Sequence, residues 1–189
     1  MIAYLKKSDN ELIDLFSDGH DKALDSLLNR YKDRLYNAIL FIVKDKYHAE
    51  DISQEVFIKI IETLKSGKYK EEGKFLPWAM RIAHNLCVDY FRKLKRFPFA
   101  KSSVENDVLE TINSAEANVE EKIINIQNIG KAQDMLEQLP EEQREVIILR
   151  HFANLSFKEI AEITGCSINT SLGRMRYGLI NLRKMMTGK

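Results

Sequence analysis

The stretch FKEIAEITGCSINTSLGRMRYGLINLRK, Phe157 to Lys184, decides the fold. It holds two helical patterns separated by a glycine. Ile160, Ala161 and Ile163 on the first, with Ile168 and Met175 on the second, can close a small core. Ala161 lets the helices approach, and Gly165 supplies the turn. Ser156 with Glu159 has the spacing of a capping box, and Ser167 is a good N-cap for a last helix reaching about Met186. These are the requirements of a helix-turn-helix. From Thr164 to Lys189 there are five Lys or Arg and no Asp or Glu. An acid-free helix can enter a DNA major groove without repelling phosphates, and Asn or Arg near its start can reach base edges. The candidate DNA contacts are Asn169, Thr170, Ser171, Arg174 and Arg176. An ordinary helical hairpin with a basic solvated face would carry the same signature.

Moving outward, the preceding "LPEEQREVIILRHF" reads as another helix, with Pro140 suited to its first turn and glutamates to its positive end. Helicity is expected from near Val119 to Gln138. Before it, residues 101–122 hold six acids against two bases, a net of −4, with weak apolar periodicity. That segment reads as a linker, and Pro98 helps to end the helix in front of it.

The N-terminal half is also helical. Ser8 and Glu11 have capping-box spacing, and Gly19 can end the short helix they open. Amphipathic runs follow at about Lys22–Lys44, Tyr47–Lys65 and Phe75–Arg96, with the polar loop KSGKYKEEGK before the last. The expectation is an all-α chain of two small helical domains, 1–97 and 123–189, joined by an acidic linker at 98–122.

Of the 189 residues, 44% are hydrophobic and 30% charged, enough apolar material for two small cores in a water-exposed chain. No apolar run reaches the roughly 18 residues of a membrane span, and "MIAYLKKSDNEL" lacks a secretory pattern. A cytoplasmic protein without membrane insertion is expected. Cys87 and Cys166 lack metal or redox spacing and are expected to be buried free thiols. The four histidines show no metal spacing. Ser53 and Tyr90 lack the clustered acids or metal ligands of a recombinase. No catalytic residue, metal or cofactor is therefore expected.

Two N-terminal clusters carry further function. In "AEDISQEVF", Asp51, Gln54 and Glu55 share one helix face away from Ile52 and Val56, which suits a docking surface for a basic partner as well as plain solvation. In "KFLPWAMRIAHNLCVDYFRKLKR", Arg81, Asn85, Asp89 and Arg92 form one polar stripe, and Arg81 to Arg96 carries a net of +4. Such a stripe suits a nucleic-acid backbone and exposed bases, or water alone. Phe75 and Trp78 are expected in the core, and Tyr69, between Lys68 and Lys70, is the candidate for an exposed aromatic. Yet the formal net charge is only +1, whereas a protein that holds DNA unaided usually has a strong basic excess.

In this order, "DISQEVF", "FLPWAMRIAHNLCVDYFRK", an acidic linker, "LPEEQREVIILR" and "LSFKEIAEITGCSINTSLGRMR" resemble the extracytoplasmic-function (ECF) group of the sigma-70 family, over nearly the whole chain. The resemblance implies bacterial transcription initiation with core RNA polymerase, through its β′ and β subunits, at promoter DNA. It implies that Asp51, Gln54 and Glu55 contact the β′ coiled coil. It places Arg81, Asn85 and Arg92 where the −10 element is melted and read, and the loop of Tyr69 where a flipped base is captured. The final helix would read the −35 element, and an anti-sigma factor often restrains such proteins. The family's usual pattern at the start of that helix is glycine, threonine, an apolar residue and lysine. Here it is Asn169, Thr170, Ser171 and Leu172, which makes Asn169, Ser171 and Arg174 the leading base contacts. The alternative is a stand-alone helix-turn-helix transcriptional regulator, which would bind its promoter without polymerase.

Overall fold

The computed structural model describes residues 4, 6–70, 73–96 and 134–187. Their regular structure is all helical, with no strand among them. They fall into two compact units, one built on the helices up to Arg96 and one on the helices from 134 onward. The linker at 98–122, both of its limits and the helix onset near Val119 lie outside the described residues.

The N-terminal unit begins with α1 (Asp9–Ser17), whose capping box is complete. Ser8 Oγ accepts from the Glu11 amide at 3.3 Å, and Glu11 accepts from the Ser8 amide at 2.8 Å. These bonds satisfy backbone groups the helix itself leaves open. Gly19 adopts φ +93°, which only glycine takes cheaply, and turns the chain into α2 (Asp21–Val43). The long α2 packs against α1 and against α4 (Phe75–Arg96), burying Leu27, Leu35, Ala38 and Ile39 completely or nearly so. Each such leucine contributes about 1.5–3 kcal/mol relative to exposure. Asp9 ties α1 to α2 from the side, accepting from Arg30 Nη1 and from the Tyr31 hydroxyl at 2.5 Å each. Burial, then Asp9, pushes the Tyr31 hydroxyl up to about 12, because ionising it would set two negative charges together.

Between α2 and α4 in sequence lies α3 (Lys46–Lys65). Ala49, Ile52, Val56, Ile60 and Leu64 are buried along one face, as their spacing requires. Ser53 is buried with them and bonds back to the Ala49 carbonyl at 2.6 Å.

The C-terminal unit is organised around α5 (Glu141–His151), with Pro140 as its N-cap. Four successive residues, Val146, Ile147, Ile148 and Leu149, are buried, so no side of this segment faces water. A short helical turn at 134–137 adds Leu136 to the core. The link to α6 (Phe157–Thr164) is clamped by Arg150, which donates to the Leu155 carbonyl at 2.7 Å and lies over the Phe157 ring. The Ser156–Glu159 capping box opens α6, and Gly165 at φ +66° ends it. Ser167 then caps α7 (Ile168–Thr187), accepting from the Thr170 amide at 3.0 Å. Gly178 lets α7 approach α5 closely, since a Cβ there would lie 2.8 Å from Ile147 Cδ1. Asn181 donates to Gln143 at 2.9 Å across the same contact.

Candidate nucleic-acid interface

The face of α3 opposite its buried row carries Asp51, Gln54 and Glu55, all exposed, with Ile58 beside them at 55% exposure. Asp51 and Glu55 also line an open groove between α3 and α4, facing Asp89, Arg92, Lys93 and Arg96. The His48 and Tyr90 rings, 4.8 Å apart, lie along it. The structure therefore brings Arg92 together with Asp51 and Glu55, which are distant in sequence. Gln54, Arg81 and Asn85 are not among the residues lining that groove.

On α4, Arg81, Asn85 and Arg92 are exposed along one side. Arg92 pairs with Asp89 at 3.2 Å, but both side chains are mostly in water, so the pair costs little to exchange for a phosphate. The last turn carries Lys93, Lys95 and Arg96, matched to the negative end of the helix dipole.

Tyr69 departs from expectation. It is half-buried, with its ring centroid 4.4 Å from Trp78 and 6.1 Å from Phe75. Phe75 in turn meets Tyr31 at 5.4 Å. Flanking lysines suggested a solvated ring, but an aromatic side chain gains more by packing against other rings than by hydration. Phe75 is in the core, as expected, and Trp78 is half-buried. Glu71 and Glu72 of the same loop lie outside the described residues.

The first turns of α7 require two corrections. Ser171, expected at the DNA, is fully buried. It sits seven residues before Gly178, on the side facing α5 and α6, and its Oγ lies 3.1 Å from Cys166 Sγ. Ile168, expected in the core, is 46% exposed, and Leu172 is 44% exposed. Helix phase explains Ser171, which shares the core-facing angle with Gly178, whereas Ile168, on the same side by its i, i+3 spacing, is the first residue of α7 and lies at its open end. Asn169, Leu172 and Arg176, at i, i+3 and i+7, form the outward face. Sequence reasoning missed Leu172 by sorting residues by polarity, and the seven-residue spacing of Ser171 and Gly178 was the signal that could have found it. Arg174 is half-buried on a different flank, and Thr170 is exposed with its hydroxyl held by Ser167 at 2.8 Å.

Of the thiols, Cys87 is fully buried and Cys166 only partly so. Burial opposes ionisation of Cys166, but the Ser171 and Thr164 hydroxyls and the Arg174 charge outweigh it and hold the thiol below its ordinary range. Among the described residues no His, Cys, Asp and Glu cluster could hold a metal ion, and no helix is long and apolar enough to cross a membrane.

Two family models match. Sigma-70 region 2 covers residues 27–97, and Sigma-70 region 4 covers residues 129–171. The chain is 30% identical over 172 residues to the ECF RNA polymerase sigma factor SigW of Bacillus subtilis, spanning 89% of this chain and 91% of that one. The chain belongs to the ECF group of the sigma-70 family. A second relative, the RNA polymerase sigma-H factor of Pseudomonas aeruginosa, is 27% identical, spanning 90% of this chain and 89% of that one. The fold is also that of the sigma factor RpoE solved with the anti-sigma factor NepR from Bartonella quintana, at a TM-score of 0.70 and 19% identity, over 88% of this chain and 98% of that one. As an ECF sigma factor, the protein is a DNA-binding factor that directs promoter-specific transcription initiation by core RNA polymerase. The region 2 match contains α3 and α4, and the region 4 match contains α5, α6 and the first turn of α7, ending one residue before Leu172.

Proposed function

We propose that this sigma factor docks core polymerase through Asp51, Gln54 and Glu55 on the β′ coiled coil, and that α4 and α7 then read the promoter at two points. Arg81, Asn85 and Arg92 contact the −10 element. Tyr69 serves that site by stacking beneath it on Trp78 rather than as a free ring. Asn169, Thr170, Arg174 and Arg176 contact the −35 element. The functional modules are 1–97 and 123–189, with 98–122 as an acidic tether lying in the basic channel that later carries RNA. The observation that carries the docking assignment is the exposed face of Asp51, Gln54, Glu55 and Ile58, opposite the buried row of α3.

The net charge of +1 supports the same reading. A subunit held in place by polymerase does not need the counterion-release energy that a solitary DNA binder requires. Promoter opening then draws on binding energy, as unstacked bases are captured, and the chain itself catalyses no reaction. Its place of action is the cytoplasm. Restraint by an anti-sigma protein is supported by the solved relative found with one.

The test is a double substitution, Asp51→Ala with Gln54→Ala. Both side chains are exposed, so the circular dichroism spectrum and melting temperature should stay unchanged. Core-polymerase affinity in a pull-down should fall by at least about tenfold. Unchanged affinity with an intact fold rejects the docking assignment.

A further inference from the structure

We propose that Leu172, with Ile168 beside it, reads thymine methyl groups in the −35 element. The inference rests on the assignment of α7 to that element. Leu172 and Ile168, at i and i+4 in the first turns of α7, are 44% and 46% exposed. Leu172 lies about 100° round the helix from the buried Ser171, and Ile168 precedes it by one turn at the exposed start of α7. Leu172 shares the outward face with Asn169 and Arg176. The thymine C5-methyl is the apolar group that a base pair presents in the major groove. A leucine set against a guanine or cytosine edge leaves donors or acceptors dehydrated and unpaired. Against thymine, two apolar surfaces leave water together. Asn169, one turn before Leu172, is the side-chain type that pairs with adenine N6 and N7. The face thus selects A·T pairs with thymines placed under Leu172 and Ile168.

Charge favours DNA over a protein as the occupant. Residues Thr164–Lys189 contain no acid, and Arg176 and Arg183 flank an otherwise apolar groove that Leu172 lines with Phe157, Met175, Leu179 and Ile180. Cations beside an apolar strip match a major groove, where phosphates border methyl groups.

The test first recovers a promoter by in vitro transcription from genomic fragments with core polymerase and the full chain. Each −35 thymine is then replaced singly by deoxyuridine, which removes only the methyl. At one or two positions the holoenzyme concentration needed for half-maximal open complex should rise about fourfold, the effect of one lost buried methyl. The Leu172→Ala holoenzyme should be weaker on the thymine promoter and indifferent to the swap at one of those positions, and Ile168→Ala at the other. Deoxyuridine tolerated at every −35 position overturns the inference, and this arm needs no altered protein. So does a promoter lacking thymine at −35, or deoxyuridine sensitivity that survives Leu172→Ala. A Leu172→Ala loss of core binding in the absence of DNA also overturns it, in favour of a protein occupant. If no promoter is recovered, the promoter-reading assignment itself fails and the inference falls with it.

Discussion

The two units bury their apolar side chains by different means. Among the described residues of the N-terminal unit, α1 to α4 each keep a wet face, and polar and aromatic side chains tie α1, α2 and α4 together. Asp9 bridges to Arg30 and Tyr31, and Tyr31 continues through Phe75 to Trp78 and Tyr69. In the C-terminal unit one helix, α5, is buried on all sides over Val146–Leu149, and α7 closes onto it at Gly178. The outer faces differ as well. The exposed side of α4 is polar and basic, whereas that of α7 mixes arginines with Ile168, Leu172 and Leu179. Melted strands with accessible backbone and bases suit the first face, and a methyl-bearing duplex groove suits the second.

The contrast is sharpest at Ile148, which is fully buried in α5. Ile148→Ala should destabilise the C-terminal unit by about 2–5 kcal/mol. Urea unfolding followed by far-ultraviolet circular dichroism should gain an early component. The single tryptophan of the chain, Trp78, lies in the other unit, so its fluorescence midpoint should not move. A matching shift in fluorescence would break the separation of the two units.

Asp9→Ala addresses the polar tie. Both partners are partly exposed, at 20% for Asp9 and 28% for Arg30, so the expected cost is about 1–2 kcal/mol. Here the Trp78 midpoint should fall and the C-terminal component should stay. An unchanged Trp78 midpoint would mean that rings, not the carboxylate, hold α1 and α2 together.

The smallest expected effect concerns pH. Tyrosine titrates ordinarily at 10, and Tyr31 at about 12. Below pH 10 both folded and unfolded states keep the proton and the contribution is complete. Between these values the unfolded state loses its proton first, so stability falls as pH rises. The decline of the Trp78 midpoint over that window should be steeper in the native chain than in Tyr31→Phe. Equal slopes would remove Tyr31 from the tie.

Several features were legible from nearest neighbours alone. The limits Phe75–Arg96 of α4 follow from its apolar period and the polar loop before it. Both capping boxes, at Ser8 and at Ser156, formed because their partners lie three residues apart and need no distant contact. Asp51, Gln54 and Glu55 came out exposed because Ile52 and Val56 set the phase of α3. The errors had the opposite origin. Tyr69 was judged by its lysine neighbours, yet its environment is Trp78 and Phe75. Ser171 was judged by its hydroxyl, yet its angle on α7 points it at the core.

The sequence by itself determined an all-α chain with a helix-turn-helix, and the order of segments that marks an ECF sigma factor, because helices, caps and turns depend on groups at most a few residues apart. Only the tertiary structure decided that Asp9 meets Arg30 and Tyr31 across more than 20 residues, that Arg92 shares a groove with Asp51, and that Leu172 rather than Ser171 faces outward. Those outcomes depend on how helices pack against one another, and side-chain polarity does not encode that angle.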